Sequence, residues 1–67
     1  MIIYNHNDIF IKHYKHIVYM DNERISVDMD EYSLVIKGNN LVMIYYDDVE
    51  IRISGCIKVI EYNDNRL

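Results

Sequence analysis

Apolar and polar residues alternate with a period of two over Arg24-Ile25-Ser26-Val27-Asp28-Met29, which puts Ile25, Val27 and Met29 on one face. The same period recurs in Glu50-Ile51-Arg52-Ile53-Ser54, with Ile51 and Ile53 turned inward. Successive side chains of a strand point to opposite faces, so both segments are predicted to be half-buried strands with one wet face. Leu34-Val35-Ile36 and the run from Leu41 to Tyr46 are apolar on both faces. Lys37, Gly38, Asn39 and Asn40 separate them and predict a hairpin turn. Ile9-Phe10-Ile11 and Ile17-Val18-Tyr19-Met20 supply strands in the first third, and turns are expected at Asp21-Asn22, Asp30-Glu31 and Asp47-Asp48. The last strand runs from Cys56 to Tyr62. Its apolar positions change phase midway, and a β-bulge near Val59 accounts for that.

These segments describe a single all-β domain over residues 1–67, a compact antiparallel sandwich or rolled sheet of about six or seven short strands. One internal echo stands out. Leu34-x-Ile36-x-Gly38 and Ile51-x-Ile53-x-Gly55 have the same shape, seventeen positions apart. Two strands that each end at a glycine produce it, and so does a short β-solenoid, for which two copies are few.

Composition agrees with the strand pattern. The apolar fraction is 51%, dominated by Ile, Val and Tyr, with no Ala and three Leu, so good helix formers are scarce. A domain of this size buries only about 60% of the surface its unfolded chain exposes, so a partner or self-association would add needed stability. A single cysteine forbids an internal disulfide and suits a reducing compartment. Met1-Ile2-Ile3-Tyr4 is apolar, but Asn5, His6, Asn7 and Asp8 interrupt it, and no run approaches the ~18 apolar residues of a membrane span. The chain is therefore read as cytosolic, with no direct membrane insertion.

Charge narrows the partners. Seven Lys+Arg face eleven Asp+Glu, a net −4. The cations Lys12, Lys15, Arg24, Lys37, Arg52, Lys58 and Arg66 are scattered, which opposes binding to phosphate backbones and so to nucleic acid. His13 and His16 have a spacing that shares a face on a helix but not on a strand. With His6 as an outlying third, ordinary surface histidines are expected and no metal site. Cys56 follows Gly55 in an apolar strand with no base in evidence, so a buried small hydrophobe is expected there. The carboxylates Asp28, Asp30, Glu31 and Asp47, Asp48, Glu50 lack the glycine and spacing of a calcium loop and are expected to be solvated turns. Gly38 and Gly55 are isolated, so there is no glycine-rich phosphate loop.

Taken together, Ile25-x-Val27, Leu34-x-Ile36-x-Gly38-x-x-Leu41-x-Met43 and Ile51-x-Ile53-x-Gly55-x-Ile57-x-x-Ile60-x-Tyr62 resemble the YabP/YqfC family of sporulation proteins, closer to its YqfC branch. The resemblance extends without gaps from about Ile9 to Tyr62, and Tyr32 and Cys56 are its departures. It singles out Gly38, Gly55, Ile57, Ile60 and Tyr62 as structural positions. It implies a small mother-cell cytoplasmic protein of endospore-forming bacteria, encoded beside a membrane protein of the same process. It attaches no activity, cofactor or catalytic residue.

A protein partner is the remaining expectation, either that membrane protein or a second copy in a homo-oligomer. If Leu34, Ile36, Leu41 and Met43 take the core side, then Val35, Val42, Ile44, Tyr45 and Tyr46 are left outside as a candidate interface. The competing arrangement is a two-layer sandwich whose first two strands cover that second face. From another functional class, an Sm-like RNA-binding barrel also has strands ending in glycine, as Ile51 to Gly55 does, but it would begin with a helix and tolerate negative charge poorly.

Overall fold

The computed structural model describes residues 2–5 and 7–64. Three turns in it are built alike. Asp21 Oδ1 accepts hydrogen bonds from the backbone N–H groups of Glu23 and Arg24 at 2.8 and 2.7 Å. Asp47 Oδ1 does the same for Val49 and Glu50 at 2.8 and 2.7 Å. Asn5 Oδ1 serves Asn7 and Asp8 at 2.8 and 2.9 Å. In each turn the first residue's own N–H donates to the carbonyl three residues on. The side chain thus satisfies amides that the chain reversal leaves without strand partners.

These turns join β1 (Ile2–Tyr4) to β2 (Asp8–Lys12), β3 (His16–Met20) to β4 (Arg24–Asp28), and β5 (Tyr32–Tyr46) to β6 (Glu50–Asp64). They form one antiparallel sheet in the order β1-β2-β6-β5-β4-β3. β1 is a strand that the apolar start did not announce. The larger departure lies at Lys37 to Asn40, where no hairpin turn occurs. β5 runs straight through, with Gly38 opposite Ile57 and Asn39 opposite Cys56, and β6 runs equally unbroken through Gly55. Two of the strands are therefore 15 residues long.

Long strands bend here instead of turning. β2 pairs only with Glu50 to Ser54 of β6, and β4 pairs only with Ser33 to Lys37 of β5. The sheet has two halves: β1, β2 and the start of β6 with the end of β5, then β3, β4 and the start of β5 with the end of β6. The middle of the β5–β6 ladder forms the crease between them. Its register slips where Lys37 and Gly38 face Val59 and Ile57, leaving Lys58 as the extra residue. This is the bulge expected near Val59. A second slip on β5 lies between Asn39 and Val42, where Asn40 has φ 55° and faces Gly55.

The crease requires its glycines. A Cβ on Gly38 would run into the carbonyl of Cys56. Gly55 has φ 140°, and a Cβ there would lie 2.5 Å from the carbonyl oxygen of Asn40. Only glycine allows both that backbone conformation and that approach.

Bending brings the two inner faces together. Ile9, Ile11, Leu41, Ile51 and Ile53 from one half and Ile25, Val27, Met29, Leu34 and Ile36 from the other form one buried cluster. The radius of gyration, 10.8 Å, matches the ~10.9 Å of a compact chain of this length, as a folded-over sheet should. Ile25, Val27 and Met29 share the inner face, and Ile51 and Ile53 are fully buried, as their alternation requires. The link between β2 and β3 ties the halves. His13 N–H donates to the Val49 carbonyl, Lys15 N–H to the Asp28 carbonyl, and the half-buried Tyr14 hydroxyl to the Asp47 carbonyl.

Candidate interaction surface

β5 beyond the crease carries the largest run of exposed apolar side chains. Val42 is 56% exposed, Ile44 58%, Tyr45 44% and Tyr46 64%. β6 is the strand partner of this segment, and β4 ends its pairing at Lys37. A further slip between Met43 and Tyr45 makes Ile44 an extra residue, so Ile44, Tyr45 and Tyr46 all stay exposed instead of alternating. Four of the five residues expected at an interface thus lie together. Val35 does not join them: it is half-buried, on the other side of the crease, between Ser26 and Glu61.

Tyr45 is held in place. Its hydroxyl donates to Asp47 Oδ2 at 2.7 Å, and the Arg52 guanidinium sits 5.0 Å from its ring and 4.8 Å from that of Phe10. Arg52 Nε also donates to Glu50 Oε2 at 2.6 Å. The β3–β4 turn repeats the device: the Tyr19 hydroxyl donates to Asp21 Oδ2 at 2.6 Å, and Arg24 lies 4.4 Å over the Tyr19 ring. These hydrogen bonds, chiefly those from the tyrosine hydroxyls, hold the Asp21 and Asp47 carboxyls below their ordinary range and raise the Tyr19 and Tyr45 hydroxyls.

Two grooves open between strands of the two halves that face each other without pairing. One, of about 490 Å³, is lined by Ile17 and Met20 of β3 and by Met43, Ile44, Tyr45 and Tyr46 of β5. The other, of about 480 Å³, lies between Tyr4 and Asn5 at the end of β1 and Ile57 to Ile60 of β6. Neither groove was visible in the periodicity, because each is lined by strands that are not hydrogen-bonded to each other.

The remaining candidates take ordinary places. Cys56 is exposed, not buried. It keeps the outward parity of Arg52 and Ser54, while Ile57 keeps the inward parity of Ile51 and Ile53; the bulge at Lys58 shifts the phase only beyond Ile57. His13 and His16 are exposed, and His6 lies outside the described residues, as do Met1 and Arg66. Among the described residues no group of three or more His, Cys, Asp or Glu side chains could hold a metal ion, and no helix is long and apolar enough to cross a membrane. Lys15 pairs with Asp30 and Lys37 with Glu61, both at the surface.

A family model described as the YabP family matches residues 1–67. The chain belongs to the YabP family. No curated protein and no solved structure matches it. Membership supports a role connected with sporulation, and the structure gives the YabP-family pattern of this chain a physical meaning. Gly38 and Gly55 make the crease. Ile57 and Ile60 pack from β6 against the core cluster. Tyr62 is exposed and stacks on Tyr32 with ring centroids 4.6 Å apart.

Proposed function

We propose that this chain is a non-enzymatic interaction module of endospore formation, acting in the mother-cell cytoplasm on a membrane protein of the same process. The observation that carries this reading is the exposed apolar end of β5, where Val42, Ile44, Tyr45 and Tyr46 stand beside a groove on an unpaired strand edge. A surface of this kind on so small a domain is characteristic of a protein contact, and tyrosine suits it by offering a large ring with a hydrated hydroxyl.

The test is genetic and biophysical. Deleting the gene should leave vegetative growth intact and impair late spore development. A chain carrying Val42→Lys and Tyr46→Glu should stay folded, because both side chains are already in solvent, yet fail to restore sporulation. A folded double variant that restores normal spores would remove the interface, and poor growth in rich medium with normal spores would remove the assignment.

A further inference from the structure

The end of β5 faces β3 across the groove that Ile17 and Met20 line, but the two do not pair. Their relative direction follows from two hydrogen bonds. Leu41 N–H donates to the carbonyl of Asn22, just after β3, and the Tyr14 hydroxyl, just before β3, donates to the carbonyl of Asp47, just after β5. The strands therefore run antiparallel, with an apolar slot between their edges. Along the slot the backbone of Val42 to Tyr46 is paired to β6 on one side. On the slot side no strand pairs with it among the described residues.

An open apolar edge is a template for another strand. Its charged surroundings select which one. Asp21 and Glu23 stand with Arg24 at one end of the slot, and Asp47, Asp48 and Glu50 with Arg52 at the other, so both ends stay net acidic. A second copy would bring the same carboxylates and a net charge of −4 against them. A cationic segment meets the opposite field. Cytoplasmic flanks of membrane-spanning helices are enriched in Lys and Arg, so a membrane protein offers such segments where this chain is proposed to act.

We propose that the β3–β5 slot receives an extended segment of a partner protein, apolar at alternate positions and carrying Lys or Arg at both ends, which adds to β5 as a strand. This rests on the reading of the chain as an interaction module and names the chemistry of its partner. Main-chain hydrogen bonds to Val42 to Tyr46 would supply affinity, the groove lined by Ile17, Met20 and Met43 would take alternate side chains, and the terminal carboxylates would favour cationic ends and raise the association rate.

The experiment uses three synthetic peptides: alternating isoleucine and threonine with lysine pairs at both ends, the same peptide ended in glutamates, and the lysine peptide with alternate backbone amides N-methylated. Binding to the full chain at low ionic strength is read by fluorescence anisotropy and by amide chemical shifts. The lysine peptide should bind and shift the amides of residues 41–46, with the glutamate and N-methylated peptides weaker by about tenfold or more. Equal binding of the glutamate peptide, or undiminished binding of the methylated one, would overturn the proposal. So would self-association of the chain that Ile44→Lys abolishes. Sporulation with Ile44→Lys separates the two levels. If no peptide binds and the folded variant blocks spores, the occupant is wrong and the module reading stands; if no peptide binds and spores are normal, both fall.

Discussion

At Gly38 and Gly55 a single methyl group decides whether the sheet can crease. The Gly38 position meets the Cys56 carbonyl, and the Gly55 position combines φ 140° with the Asn40 carbonyl at 2.5 Å, so neither neighbour is a flexible side chain that could move aside. Gly38→Ala and Gly55→Ala should each cost about 3 kcal/mol or more in urea unfolding, while Ser54→Ala, on the next residue, should stay within about 0.5 kcal/mol. A small loss at either glycine would mean the crease tolerates a side chain. The carboxylates of the turns make a second residue-scale prediction. Asp21 and Asp47 have depressed pKa values in the folded chain, so their contribution is present above the unfolded carboxyl value of about 4 and is lost as pH falls through the folded values. Melting temperature should drop on acidification below about pH 4, and an Asp21→Asn, Asp47→Asn double variant should drop less, since asparagine keeps the turn bonds as Asn5 does. An unchanged acid limb would disconnect these groups from stability. At this scale the alternation of Ile25, Val27, Ile51 and Ile53 was legible because each lies away from the crease. Cys56 obeys the same alternation, with the outward parity of Arg52 and Ser54, and the expectation of a buried thiol followed its residue type instead of its parity.

Strand by strand, the seventeen-residue echo is neither a solenoid nor two strands that merely end at glycines. It marks two equivalent half-sheets. Ile9 pairs with Ile53 as Ile25 pairs with Ile36, Asp8 with Ser54 as Arg24 with Lys37, and the Gly55 N–H donates to the Asn7 carbonyl as the Gly38 N–H does to that of Glu23. β1–β2 with the start of β6 thus repeats β3–β4 with the start of β5. The two grooves are counterparts as well, one at each junction of the halves. Equivalence has an energetic consequence. Ile36→Ala and Ile53→Ala both remove a fully buried side chain at matching positions, so each should cost about 2–5 kcal/mol and the two costs should agree within about 1 kcal/mol. A cost confined to one half would show that the repeat is geometric only. Two of the three Asx turns were visible as Asp21-Asn22 and Asp47-Asp48, the one at Asn5 was read only as a break in the apolar start, and the bend at Lys37 to Asn40 was mistaken for a hairpin. Glycine and asparagine serve both structures, since each supplies φ values that other residues avoid. Composition alone cannot separate a reversal from a crease. The partner strand can, and it lies about twenty residues away.

For the molecule as a whole, the sheet closes on its core but leaves strand edges open at both junctions. The all-β class was carried by the missing alanine and the period of two; the grooves depend on long-range placement and were not. Three of the cations, Lys15, Lys37 and Arg52, lie in ion pairs with Asp30, Glu61 and Glu50, and the net charge is −4, so the field opposes phosphate. Uridine-rich RNA should therefore not bind at physiological salt, and micromolar affinity there would favour the Sm-like reading. The open edges bear on stability too. A domain of this size has only about 3–10 kcal/mol in hand, so a ligand that binds the folded chain should dominate its melting behaviour. At a hundredfold excess over its Kd such a ligand adds about 2.7 kcal/mol. For a domain this small each kcal/mol moves the midpoint by about 4–8 °C, giving a rise of about 10–20 °C. Purified cytoplasmic segments of membrane proteins, the partner class of the proposed function, can be ranked by this shift in a calorimetric scan. The true partner should raise the midpoint by that amount, and Val42→Lys with Tyr46→Glu should abolish the rise without lowering the free chain's own midpoint by more than a few degrees. A partner that stabilises the double variant equally would place the contact elsewhere on the sheet.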